Sequence, residues 1–343
     1  MKDVVILFGG PSSERKVSVA SAQNVASQLE QAEAWFWSPQ GAVYRVDRPA
    51  LLAHQRAFEV EFTPASPPAW GSLQEAADDP GSRSLTFLLA LHGGEGEDGT
   101  VQKLFEERRI AFTGPGSEAS AKAMDKEQAK RVATSAGVPV AESVRVPRGD
   151  EATVGSALLG FLARHERIVA KPVSGGSSVG LCIIGSVADA QRAAAAIADS
   201  PDDFLAEEFV EGTELTVGVV DGEQGTRALP ASEVRVERGR SFDYAGKYLG
   251  KGTREITPAE VPAELSRAAQ KVALDAHRAL GCEGYSRTDV ICGLRGVVFL
   301  ELNTLPGLTR MSFIPQELAA EGTPMLRFLQ DQLALAKRRR DRG

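Results

Sequence analysis

Asp289, Glu301 and Asn303 set two carboxylates and an amide inside an otherwise apolar strand pair near the C-terminus, with Arg287 two residues ahead of the first. Hard oxygen donors with room left in the coordination sphere suit Mg²⁺ carrying a nucleotide phosphate. Residues 285–303 read as a hairpin. A three-residue loop, Leu294 to Gly296, puts Gly296 at the left-handed position such loops need. Gly293 then pairs with Val297, Asp289 with Glu301 and Arg287 with Asn303. Side chains two apart share a face. The four polar groups therefore point one way, and Val290, Leu300 and Leu302 the other. A two-residue loop would shift the pairing by one and split the set. The competing reading is a half-buried hairpin with a solvated face.

A chain of 343 residues exceeds one ordinary core, so two or three domains are expected to carry this hairpin. A hydrophobic content of 43% with 25% charged residues is that of a soluble globular enzyme. A net charge of −7 argues against a general nucleic-acid binder. The one basic run, Lys337-Arg-Arg-Arg-Asp-Arg342, reads as a solvated helix end. Three cysteines, Cys182, Cys282 and Cys292, lack metal-ligand spacing and sit in or beside apolar runs. Buried reduced thiols in a cytoplasmic protein are expected. The apolar run 4–8 is too short for a signal peptide, and no stretch reaches membrane-spanning length.

Residues 4–8 read as a buried strand, 17–31 as a helix, 34–37 as a short strand and 85–91 as another buried strand. Strand, glycine-rich loop and helix in alternation predict a parallel α/β domain with its sites at the carboxyl ends of the strands. Residues 64–84 read as a surface excursion. A helix over 122–137 leads to a smaller α+β unit: strands 140–146, 168–171, 181–184 and 204–209, with helices 151–165 and 187–199. A third unit follows, with strands 214–220 and 228–236, a polar loop 238–255, a helix 262–280, the hairpin, and helices 315–321 and 323–337. The expected domains are 1–121, 122–212 and 213–343.

Six further segments bear chemistry. Residues 171–180 form a Gly/Ser-rich loop whose backbone N–H groups can cradle phosphates; a plain hairpin loop is the alternative. Lys126 and Lys171 are each ordinary surface lysines taken singly, but together with that loop they can neutralise phosphates as point charges. Glu207 with the Val210 backbone suits an adenine edge, and Glu214 suits ribose hydroxyls; an exposed acidic loop is the bland reading. The stretch 92–100 carries four glycines and three acids after a buried strand. There His92 is either structural or aimed at a site. Glu14 caps a helix or holds a substrate ammonium. The backbone N–H groups beyond Asn303, around the Pro306-Gly307 turn, are placed to receive an oxyanion or a carboxylate.

In order along the chain, these segments resemble the D-alanine–D-alanine ligases, carboxylate–amine ligases of the ATP-grasp superfamily. The resemblance rests on Gly9-Gly-x-Ser-x-Glu14-Arg, Ala90-Leu-His92-Gly, Gly96-Glu-Asp-Gly-Thr100, Met124-Asp-Lys126, Lys171-Pro and Gly176-Ser-Ser-Val-Gly180. Tyr244-x-x-Lys247-Tyr248, Arg287-Thr-Asp289 and Glu301-Leu-Asn-Thr-Leu-Pro-Gly307 complete it. It implies ATP-dependent joining of two D-alanines through an acylphosphate, for peptidoglycan synthesis, in a three-domain ATP-grasp fold. It implies Asp289, Glu301 and Asn303 as ligands of two Mg²⁺ ions, for which Mn²⁺ can substitute. Lys126, Lys171, Ser177, Glu207, Val210 and Glu214 would contact the nucleotide, and His92 the substrate. Glu14 would hold the first D-alanine's ammonium and, with Ser177 and Tyr248, form a hydrogen-bonded triad. Arg287 and the Gly307 amide would clamp the oxyanion, while Lys247, Ser312 and the Phe313 backbone would receive the second D-alanine's carboxylate. A homodimer is the implied assembly, with no nucleic-acid or membrane partner.

The neutral Tyr248 leaves room for an amine nucleophile, so joining D-alanine to D-lactate ranks below the dipeptide. A non-catalytic nucleotide-binding protein on the same fold would have lost a metal ligand or Arg287, and none is lost. Three features depart from the family pattern: a longer 64–84 segment, the acid Glu95 in the His92 loop, and Ala245-Gly246 ahead of Lys247.

Overall fold

The computed structural model describes residues 3–176, 180–236 and 253–342. Strand β1 (Val4–Gly9) is buried along its whole length, as a strand covered on both faces must be. It pairs in parallel with β2 (Glu33–Trp37) and β4 (Thr86–Leu89), and β4 in parallel with β5 (Ala111–Phe112). An antiparallel edge strand, β3 (Val43–Val46), completes the order β3-β2-β1-β4-β5. The expected parallel α/β unit is therefore present. Residues 64–84 are more than a surface excursion. Helix Leu73–Asp78, capped by Ser72, buries Leu73, Ala76 and Ala77 in the core of this unit.

The second sheet is antiparallel throughout, in the order β6 (Ser143–Val146), β9 (Phe204–Glu208), β7 (Ile168–Pro172), β8 (Cys182–Ile184). Helices Glu151–Leu162 and Val187–Ala198 bury Val154, Leu158, Phe161, Ala190, Ala194 and Ile197 with it. The third sheet joins β10 (Thr213–Gly222), β11 (Gly225–Ala228), β12 (Ser232–Val236), β13 (Thr253–Ile256), β14 (Tyr285–Gly293) and β15 (Gly296–Asn303). Helix Ala263–Ala279 lays Ala269, Val272, Ala273 and Ala276 against it.

Three elements differ from expectation. The helix expected over 122–137 is two helices, Ser117–Met124 and Lys126–Ser135, because Asp125 leaves helical geometry and accepts the Gln128 N–H at 2.9 Å as a cap. Ala129 and Ala133 of the second helix join the core of the third sheet. The strand expected over 228–236 is interrupted between Ala228 and Ser232, where Pro230 cannot donate to a ladder. The basic tail is also not wholly solvated. Arg339 donates to the carbonyls of Phe112 and Gly114, each at 2.7 Å, and its guanidinium lies 4.1 Å from the Phe112 ring centroid.

The hairpin reaches the expected pairing by an unexpected route. Its loop has two residues, since Gly293 pairs with Gly296, whose φ is +95°. The three-residue loop is thus incorrect. The register then shifts between Asp289 and Val290: Val290 pairs with Phe299 and Asp289 with Glu301, leaving Leu300 as the extra residue of a bulge. The bulge supplies the residue that the shorter loop removes. Asp289 still faces Glu301, Arg287 still faces Asn303, and Val290, Phe299 and Leu302 enter the core. Leu300, expected on the core face, is only partly buried.

Candidate active site

The polar face of β14–β15 carries all four expected groups. Arg287 donates to Asp289 twice, Nε to Oδ1 at 2.9 Å and a terminal nitrogen to Oδ2 at 2.7 Å. Thr216 Oγ1, on the neighbouring β10, donates to the same carboxylate. Phe313 holds its ring centroid 5.7 Å from the guanidinium carbon. Asn303 buries an unpartnered Nδ2 beside these carboxylates. Two carboxylates and an amide converging from paired strands make a hard-oxygen donor set that fits Mg²⁺.

Of the nucleotide candidates, Lys171 and Glu207 meet directly. Glu207 on β9 is buried and forms ion pairs with Lys171 Nζ at 3.0 Å and Lys130 Nζ at 3.3 Å. Burial pushes the Lys130 ammonium down from its ordinary pKa, and Glu207 opposes that shift. Lys130 was not foreseen, although it lies one helical turn after Lys126 on the same face. Lys126 begins its helix with its N–H on Val173 O at 3.0 Å and its Nζ on Gly175 O at 2.6 Å, so it is fastened to the glycine-rich loop. Val210 joins Ala141 and Val298 in a small apolar cluster. Glu214 lies on β10 opposite Ile291 of β14.

At the other end of the hairpin, Glu14 stands at the start of helix Arg15–Gln28 and makes no side-chain capping bond. Its carboxylate points instead toward the Gly93 turn, where a Cβ on Gly93 would come within 2.6 Å of Oε2. His92 is buried with both ring nitrogens engaged: Nε2 with Ser21 Oγ at 2.9 Å and Nδ1 with the Leu305 carbonyl at 2.9 Å. Burial holds its pKa below the ordinary value, against the pull of Glu14. Ser21 Oγ in turn accepts the Leu308 N–H at 3.1 Å. His92 therefore fastens the loop around Gly307, and the structural alternative raised for it is the one its contacts describe. Glu97, also unforeseen, has its carboxyl pushed up to about 8, by burial first and by the Glu14 charge second.

Arg287, Gly307, Ser312 and Phe313 line one cavity of about 70 Å³, with Phe58 and Glu255 among its other walls. Ser312 Oγ bonds Thr309 Oγ1 at 2.8 Å and opens helix Phe313–Glu321. A larger cavity of about 250 Å³, between Val46 and Ser66, contains none of the chemical residues. Glu317, on the buried face of helix Phe313–Glu321, is a third residue the sequence reading missed. It accepts the Gly218 N–H at 2.7 Å and the Ser232 hydroxyl at 2.9 Å. An acid three residues after Ile314 and one before Leu318 falls on a helix's apolar stripe, which is the signal that was available. Ser177, Lys247 and Tyr248 lie outside the described residues, so the proposed triad and the lysine contact do too. Cys282 and Cys292 are buried as expected, while Cys182 is half-buried; all three are unpaired.

Three sheets around this site define the class: the chain has the ATP-grasp fold. It matches the VanG D-Ala:D-Ser ligase from Enterococcus faecalis with a TM-score of 0.79 at 27% identity, over 97% of this chain and 98% of the other. D-alanine–D-alanine ligase from Bacillus anthracis matches with a TM-score of 0.74 at 26% identity, over 99% and 98%. Residues 3–115 match the family described as D-ala D-ala ligase N-terminus, and residues 132–333 that described as D-ala D-ala ligase C-terminus. A D-alanine–D-alanine ligase of Cereibacter sphaeroides is 38% identical over 320 residues, covering 92% of this chain and 90% of the relative. One from Leptospira interrogans is 32% identical and covers 99% of each chain. The chain belongs to the D-alanine–D-alanine ligase family. No helix among the described residues is long and apolar enough to cross a membrane.

Proposed function

We propose that this chain joins two D-alanines at the expense of ATP, supplying the dipeptide for peptidoglycan. One observation carries the reading: Arg287 sits both in the Asp289–Glu301–Asn303 face and in the wall of the Gly307–Ser312 cavity. One group thus adjoins the phosphate-handling and acyl-handling ends. The work falls to a cytoplasmic enzyme, where ATP is at hand, and a homodimer is the assembly we infer. The domain division 1–121, 122–212 and 213–343 is part of the same proposal.

Lys126, Lys171, Glu207, Val210 and Glu214 hold the nucleotide, with Ser177 on the phosphate loop. Asp289, Glu301 and Asn303 would hold two Mg²⁺ ions, which supply charge neutralisation around the transferred phosphoryl group. Glu14 anchors the first D-alanine by its ammonium, with His92 fixing the loop behind it. That substrate's carboxylate oxygen attacks the γ-phosphorus, and ADP departs. The second D-alanine, its carboxylate on Ser312, the Phe313 backbone and Lys247, attacks the acyl carbon with its amine. Arg287 and the Gly307 N–H receive the charge that develops on the tetrahedral oxygen. The C–O bond to phosphate then breaks and the amine proton leaves. Tyr248 would join Glu14 and Ser177 in the hydrogen-bonded triad that the resemblance implies.

Phosphate release from ATP with D-alanine, L-alanine, D-lactate or D-serine tests this. D-alanine alone should stimulate release and yield the dipeptide by mass spectrometry. A mixed product with D-serine, in place of D-alanyl-D-alanine, would assign this chain a D-Ala:D-Ser activity like that of the VanG ligase. No D-amino-acid dependence would remove the ligase assignment.

A further inference from the structure

Among the described residues, the acceptor cavity is lined by the third unit except at one point. Arg287, Gly307, Ser312 and Phe313 come from β14 and the segment that follows β15, whereas Phe58 comes from the first unit. Phe58 does not reach the cavity by chance of a loose loop. The segment around it is fastened at five places. Arg15 holds Glu61 through two bonds of 2.9 and 2.7 Å, and Lys16 Nζ donates to the Glu59 carbonyl at 3.0 Å. Gln23 donates to the His54 carbonyl at 2.6 Å, and His54 Nε2 meets the Val60 carbonyl at 3.1 Å. Phe62 is buried with its ring 5.7 Å from Phe8 and 5.2 Å from Phe36. At the turn itself, Arg56 adopts φ +54° and its carbonyl accepts the N–H groups of Glu59 and Val60. A non-glycine residue is held in that conformation only when its surroundings over-determine it. The result is a rigid strap whose tip presents an aromatic ring to the cavity, anchored by the two residues that follow Glu14.

We propose that Phe58 is a specificity-determining residue: its ring closes the acceptor cavity from the first unit and limits the second substrate to a D-amino acid with a small side chain. This rests on the ligase reading above. A rigid aromatic wall excludes by volume, and the strap's five anchors prevent it from yielding. The neighbouring aromatic, Phe313, stacks on the catalytic arginine and fixes the opposite requirement, the position of the oxyanion clamp. The two aromatics thus have different tasks.

The test uses D-alanine as donor with D-alanine or D-norvaline as acceptor, and scores the mixed dipeptide by mass spectrometry. Phe58→Ala should raise kcat/KM for D-norvaline relative to D-alanine by about tenfold or more, the discrimination that a methylene or two brings in a hydrophobic pocket. Phe58→Leu, which keeps an apolar wall, should shift the ratio less. The KM for ATP is the internal control and should stay put. An unchanged ratio in a variant that still makes D-alanyl-D-alanine overturns the proposal, as does an equal loss with both acceptors. If Phe58→Ala fails to fold by circular dichroism, an unchanged ratio in Phe58→Leu is sufficient to overturn it. A wild type that forms no dipeptide from D-alanine removes the ligase reading itself, and this proposal with it.

Discussion

Glu317 offers a quantitative check on how the site is held. Its carboxyl is fully buried under β10, where Gly218 pairs with Arg287 across the ladder. Gly218 must be glycine there, since a Cβ would stand 2.5 Å from Ile314 Cδ1 and 2.6 Å from Glu317 Oε2. Burial pushes the carboxyl from 4.5 to about 8, with the Gly218 and Ser232 hydrogen bonds pulling the other way. Near neutral pH it is therefore mostly a neutral acid, one oxygen accepting from the Gly218 N–H and the other bonded to the Ser232 hydroxyl. Glutamine reproduces that pattern, so Glu317→Gln should cost less than about 1 kcal/mol near pH 6. Alanine leaves a buried N–H unpaired and a void behind, which together cost about 2–4 kcal/mol. The sign of the pH effect follows from the raised pKa. The folded chain binds the proton more tightly than the unfolded one, so this group's contribution is full below about pH 4.5 and is lost as pH rises toward about 8. Urea unfolding of wild type and both variants at about pH 6 and about pH 9 measures this. Wild type should lose stability relative to Glu317→Gln at the higher pH. A glutamine variant as unstable as alanine, or a wild-type-to-glutamine difference that does not change with pH, would refute the buried neutral acid.

Three other perturbations separate the remaining roles. Arg287→Ala should leave ATP affinity nearly intact and lower dipeptide formation by roughly 10²–10³, the loss typical of one oxyanion donor; retained synthesis in steady-state assays would sink its role. Glu301→Ala should abolish Mg²⁺-dependent turnover while thermal unfolding shows a folded protein, and near-normal activity at ordinary Mg²⁺ would remove the metal assignment. Lys130→Met should raise the KM for ATP and destabilise by less than about 3 kcal/mol, because Glu207 keeps Lys171 at 3.0 Å after losing one buried partner. An unchanged KM for ATP would make Lys130 purely structural.

The hairpin shows where sequence stops being sufficient. Alternation of polar and apolar residues along 285–303 constrains which side chains share a face, because a misplaced carboxylate would enter the core among Val290, Phe299 and Leu302. That constraint selects the Asp289–Glu301 and Arg287–Asn303 pairs, which a two-residue loop reaches only with a bulge. It does not choose between a three-residue loop and a two-residue loop with a bulge, since both put the same groups opposite one another. The choice is made at Gly293–Gly296 and Leu300, by turn geometry and local twist, which leave no trace in the polar pattern. The same limit applies to the unforeseen residues. Lys130, Glu97 and Glu317 derive their character from burial, and burial is set by elements distant in sequence: Glu207 beside Lys130, Glu14 beside Glu97, Gly218 beside Glu317. Phe58 is the extreme case, because its chemistry is only size and its position depends on five anchors around one turn. Motif residues are legible because the reaction dictates their type, whereas the residues that aim them are legible only from what they touch.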